Sequence, residues 1–136
     1  MLTNYVSHIN EQQKLSPYKI VESGILTLSL GGVEVPMLTI TNFKDKIPII
    51  KKKIVIITGR IHPGETNGSF IVHSLIRWLL STDKMANELR KRIVFKIIPM
   101  LNPDGVIVGN NRTSFIGKDV NRCFISPNAK LTPEPF

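Results

Sequence analysis

The sequence predicts an α/β chain built on a partial mixed β-sheet with flanking helices. Two observations carry that expectation. The pair Gly31-Gly32 separates two runs rich in Val, Ile, Leu and Thr, which marks an antiparallel hairpin. Farther on, two apolar runs flank a stretch with helical spacing. That order of strand, helix and strand makes a parallel βαβ unit with a right-handed crossover.

The first strand is expected within Tyr18 to Leu30 and the second within Val33 to Thr41. Pro36 cannot donate to a ladder, so part of the second strand should be an edge or a bulge. Lys44 to Lys53 reads as a basic loop, its run Lys51-Lys52-Lys53 solvated ahead of a strand. Ile54-Val55-Ile56-Ile57 has the pattern of a strand buried on both faces. Past Gly59, the spacing of Phe70, Ile71, Leu75, Trp78 and Leu79 predicts a helix from about Glu65 to Ser81. A short helix near Met85 to Arg90 and a buried-type strand over Ile93 to Ile98 follow. Asn102-Pro103-Asp104-Gly105 is a dense turn signal, in which Asp104 is expected to bond local backbone. His62 to Glu65 and Asn102 to Asp104 thus follow two neighbouring strands at their carboxyl ends, where open α/β sheets bind ligands.

At 136 residues the chain has room for one domain, and 42% apolar content supports a core. The net charge of +8 suits an acidic polypeptide, a nucleic acid or an anionic membrane. No aromatic-interleaved basic stripe or binding motif favours nucleic acid. Met1 to Gln13 lacks an apolar signal region, and no apolar run approaches the ~20 residues of a membrane span, so no membrane partner is expected. Cys123 is the single cysteine, which excludes an internal disulfide and a cysteine-rich zinc finger. A cytoplasmic chain is the expectation.

His62-Pro63-Gly64-Glu65 sets an imidazole and a carboxylate three residues apart, a spacing that can aim both at one Zn2+ ion. The plainer alternative makes Glu65 an acid at a helix N-terminus, favoured by the helix dipole. The words around this pair decide more than its spacing. Thr58-Gly59-Arg60-Ile61-His62-Pro63-Gly64-Glu65-Thr66-Asn67 resembles the zinc-binding segment of the cytosolic carboxypeptidases, a branch of the zinc metallocarboxypeptidases that trims glutamates from protein tails. The run from Pro99 to Asn110 resembles a second signature of that family, and Gly117-Lys118-Asp119-Val120-Asn121-Arg122 a third, in the same order.

The resemblance implies that His62 and Glu65 are two of three zinc ligands. It implies that Arg112 stabilises the oxyanion at the scissile carbonyl, a role suited to a fixed guanidinium. Asn121 and Arg122 would hold the substrate's terminal carboxylate. Asp119 would accept a hydrogen bond from the zinc-bound histidine and so set its tautomer. His73 and Cys123 read as structural. The substrate implied is an acidic polypeptide such as a tubulin-like glutamate tail.

The sequence departs from that family in what it lacks. The family's third ligand and general base lie farther downstream than Phe136. The expectation is therefore an incomplete catalytic domain over residues 1–136, the front half of a zinc carboxypeptidase-type fold. It divides into a lead-in at 1–17, sheet and active-site loops at 18–124, and a truncated tail at 125–136. Alone, such a fragment is expected to be inactive. The rival reading is a non-catalytic module that grips acidic tails.

Overall fold

Gly32 takes φ +75°, which glycine adopts without steric penalty, and Ser29 N–H donates to Val33 O at 2.9 Å to close the turn. Around it run β1 (Val21–Leu28) and β2 (Glu34–Ile40), paired antiparallel. This computed structural model describes residues 19–124 and Ile9. The expected lead-in and tail, and the first strand's start at Tyr18, lie outside the described residues. The register steps between Ile25↔Pro36 and Thr27↔Val35, so Leu26 is an extra residue in β1. A bulge opposite a proline follows from its missing N–H.

β3 (Lys53–Thr58) and β4 (Ile93–Ile98) pair in parallel, and β2 pairs antiparallel with β4 through Leu38, Thr39 and Ile40. The sheet is therefore mixed, in the order β1-β2-β4-β3. Between β3 and β4 the chain forms α1 (Thr66–Leu80) and α2 (Lys84–Arg92). Val72, Ile76 and Leu79 of α1 join Leu38, Ile40, Phe95 and Ile97 in one core. Each such side chain contributes about 1.5–3 kcal/mol when fully buried. α2 begins where the Asp83 carboxylate accepts from Ala86 N–H at 2.9 Å.

Four expectations are corrected. Among the described residues β3 lies at the edge of the sheet, not buried on both faces: Ile54 and Ile56 are 64% and 68% exposed. Their side chains stand on the face away from α1, while Ile57 packs against the core. Asn102 to Gly105 opens a short helix, α3 (Pro103–Ile107), because Asn102 caps it and Pro103 occupies its first turn. The Asp104 carboxylate does not bond local backbone; it accepts from Ser29 Oγ at 2.7 Å and Gly31 N–H at 2.9 Å, tying α3 to the distant hairpin turn.

Lys52 is the fourth correction. Lys51 and Lys53 are exposed, but Lys52 is buried between them. Its Nζ donates to Thr41 Oγ1, Asn42 O and Arg90 O at 3.1, 2.7 and 3.1 Å, joining the ends of β2 and α2 to the start of β3. Burial pushes its pKa down, against the opposing charge of Asp45. Lys52→Met should cost about 1–3 kcal/mol, because it leaves buried oxygens without donors. Urea denaturation followed by Trp78 fluorescence measures this, and an unchanged midpoint would show that the three bonds contribute nothing.

Candidate active site

The pairing of β3 with β4 continues past the strands. Gly59 N–H donates to Ile98 O, Leu101 N–H to Gly59 O and Asn102 N–H to Arg60 O, at 2.9, 2.8 and 3.1 Å. Glycine is required at the first step, since a Cβ on Gly59 would lie 2.7 Å from Pro99 O. Arg60 then takes φ +54°, alone among the described non-glycine residues. Such a conformation costs on the order of 1–3 kcal/mol and needs support. Support comes from its own side chain: Nε and Nη2 donate to Pro63 O at 2.9 and 2.5 Å, and Nη1 to Ser69 Oγ at 3.0 Å. The chain is thereby folded back so that His62 to Glu65 forms a turn against the start of α1.

The His62 side chain is 8% exposed, and that of Glu65 is 58% exposed. His62 Nδ1 lies 2.9 Å from Glu65 Oε1, and Nε2 lies 3.1 Å from Asp119 Oδ1. A carboxylate beside Nε2 calls for a proton on that nitrogen. In the neutral ring Nδ1 is then a lone pair facing Glu65 Oε1. Two acceptors so close repel unless a proton or a cation lies between them. The pair therefore fits a metal ion as two of its ligands, with nitrogen and oxygen donors that zinc accepts. Among the described residues no group of three His, Cys, Asp or Glu forms a metal site.

Asp119 joins this turn to the later loop. Its Oδ2 accepts from Arg112 Nε at 2.7 Å, and its Oδ1 also accepts from Asn121 N–H at 3.1 Å. It precedes a short 3-10 helix, Val120–Arg122, whose Arg122 N–H donates to Asp119 O at 3.0 Å. Desolvation pushes the Asp119 carboxyl up, but hydrogen bonds from Arg112 and His62, with the charge of Arg112, outweigh it and hold it below its ordinary 3.8.

The structure thus brings His62, Glu65, Asp119 and Arg112 into one linked group. Asn121 and Arg122 stand beside it through their backbone, Asn121 half-buried and Arg122 exposed. His73 lies outside it on α1, and Cys123 Sγ is 3.4 Å from Asp119 O. Sequence reasoning missed Arg60 and Asn102. Nothing in an arginine announces a left-handed backbone, but Asn before Pro is a helix-start signal that could have exposed Asn102 as a cap.

Residues 6–132 match the family model of Peptidase_M14, zinc carboxypeptidase. The chain belongs to the zinc carboxypeptidase family. Human cytosolic carboxypeptidase 4 is 40% identical over 139 residues, which take in 96% of this chain and 12% of that protein. Cytosolic carboxypeptidase 2 of Danio rerio is 48% identical over 103 residues, 75% of this chain and 14% of that protein. The solved metallo-carboxypeptidase of Burkholderia cenocepacia has the same fold at TM-score 0.78 and 30% identity, over 95% of this chain and 34% of that one. This zinc carboxypeptidase segment therefore spans a small part of its curated relatives and about a third of the solved enzyme. No helix among the described residues is long and apolar enough to cross a membrane.

A carboxyl whose folded pKa is lowered adds stability that is present above its unfolded value and lost as pH falls through the folded one. Asn at 119 cannot titrate. The stability gap between the wild type and Asp119→Asn should therefore be full at neutral pH and shrink as pH falls below 3.8. Thermal melts from neutral to strongly acid pH measure it; a gap that stays constant throughout would contradict the assigned charge links.

Proposed function

We propose that the chain is the front part of a zinc-dependent catalytic domain, its sheet and site loops within residues 18–124. The whole enzyme would remove carboxy-terminal residues, above all glutamates, from acidic polypeptide tails such as those of tubulin, in the cytoplasm. The observation that supports this reading best is the link from His62 through Asp119 to Arg112 at the carboxyl ends of β3 and β4. His62 through Nδ1 and Glu65 through Oε1 would hold the metal, with a further ligand from the remainder of the longer protein. When bound, zinc supplies a Lewis acid and lowers the pKa of its water.

The chain's own residues supply orientation and charge. Asp119 keeps the proton on His62 Nε2, which leaves Nδ1 free to ligate. The same carboxylate holds Arg112 by Nε, fixing a guanidinium whose side chain is 51% exposed. A cation fixed in this way stabilises negative charge as it develops on a carbonyl oxygen. Asn121 and Arg122 would bind the terminal carboxylate of the substrate, which restricts the enzyme to chain ends. The net charge of +8 suits an acidic polypeptide.

The test is steady-state hydrolysis of a glutamate-tailed peptide by the longer protein that contains this segment. A chelator should abolish release of glutamate. Arg112→Ala should lower kcat by on the order of 10²–10³, the loss seen when an oxyanion donor is removed. Arg122→Ala should chiefly raise KM, because it removes ground-state binding. The reverse assignment of effects would exchange the two roles. A metal-loaded protein that binds the peptide without cleaving it would favour the non-catalytic binding module instead.

A further inference from the structure

The metal-binding turn and the Arg112 loop are far apart in sequence, yet the proposed chemistry requires a fixed spacing between them. We infer that Asn102 is the positioning residue that sets that spacing. Its side chain is buried, the whole residue being 1% exposed. Asn102 Oδ1 accepts from Gly105 N–H at 2.9 Å, which identifies the other side-chain atom as the amide donor. That Nδ2 donates to Ile61 O at 3.2 Å and, by a longer contact, to Thr113 O at 3.5 Å. Ile61 immediately precedes His62, and Thr113 immediately follows Arg112. One amide thus reaches the backbone next to the proposed metal ligand and next to the proposed oxyanion residue.

Two further contacts show how closely the loops meet around it. Gly64 N–H donates to Asn111 O at 2.7 Å, so the residue before Arg112 is pinned to the metal-binding turn as well. A Cβ on Gly105 would lie 2.8 Å from both Thr113 O and Asn102 Oδ1, and would also strike the Pro63 ring. Three loops converge there with no space for a methyl group. Asn110 Nδ2 donates to Thr113 O at 3.2 Å and supports the Arg112 loop from its own side only. Asn102 spans the two through their backbones, where the Asp119 carboxylate links the His62 and Arg112 side chains.

The inference rests on the proposed function for its meaning, but its principal test needs neither metal nor substrate. Ser is as good a helix cap as Asn, yet it has no amide to reach Ile61 O and Thr113 O. Asn102→Ser should therefore keep α3 while loosening the two loops. Amide hydrogen exchange on the 136-residue chain reads this out. The Gly64 amide should lose roughly tenfold or more of its protection, while the Gly59 amide, bonded to Ile98 O, keeps its own. Unchanged Gly64 protection, or equal losses at Gly59 and Gly64, would overturn the inference, since Asn102 would then be only a cap or only a core residue.

Zinc titration of the same pair separates the two claims. Weakening by about tenfold in Asn102→Ser is the expected result for a group that orients a ligand. Zinc binding undiminished in the variant would overturn the positioning role. Failure of the longer protein that contains this segment to bind zinc, with the Gly64 change still present in the 136-residue chain, would uphold the positioning and refute the metal assignment. If Asn102→Ser does not fold, the wild-type Nδ2 protons decide: slow exchange supports shared donation, and fast exchange overturns it.

Discussion

Everything at the candidate site depends on the parallel pairing of β3 with β4. Parallel strands present their carboxyl ends on the same edge, so two loops separated by a whole crossover emerge side by side. Here the pairing runs to Thr58↔Ile98 and is extended by hydrogen bonds as far as Asn102 N–H to Arg60 O. Had the strands been antiparallel, His62 and Asn102 would stand at opposite ends of the sheet. The crossover helix α1 holds the register by burying Val72, Ile76 and Leu79 against β2 and β4. A core of ordinary aliphatic residues thus determines which polar residues can meet.

Charge organises what the pairing assembles. Asp119 lies between a buried imidazole and a half-exposed guanidinium, and its two oxygens serve different partners. A carboxylate between two potential cations stays ionised, in keeping with its lowered pKa. It can therefore orient His62 and Arg112 together at neutral pH. Arg60 makes a related contribution through the backbone: its left-handed conformation turns the chain, and its guanidinium holds the turn closed.

How much of this could be read from the residues varies with the kind of interaction. The hairpin, the helix α1 and the parallel unit were legible because glycine pairs and apolar spacing report local conformation directly. His62, Glu65, Arg112, Asp119, Asn121 and Arg122 were legible as a set only through resemblance, since no spacing rule links residues 62 and 119. Lys52 was misread because a lysine run looks solvated, and only the tertiary fold offers it three oxygens. Ile54 and Ile56 were misread because apolar pattern reports what a strand can bury, not whether a neighbour covers it. Asp104 escaped for the same reason, as its partners Ser29 and Gly31 are distant in sequence.

The central claim is that His62 presents Nδ1 to a metal while Asp119 keeps Nε2 protonated. Nitrogen-15 spectroscopy of the imidazole, recorded as zinc is added, tests it most directly. The account predicts that the Nδ1 resonance moves on adding zinc, that Nε2 keeps its proton, and that Asp119→Asn weakens this preference. Movement of Nε2 with Nδ1 left protonated would contradict the account, because the metal would then bind on the side that Asp119 occupies.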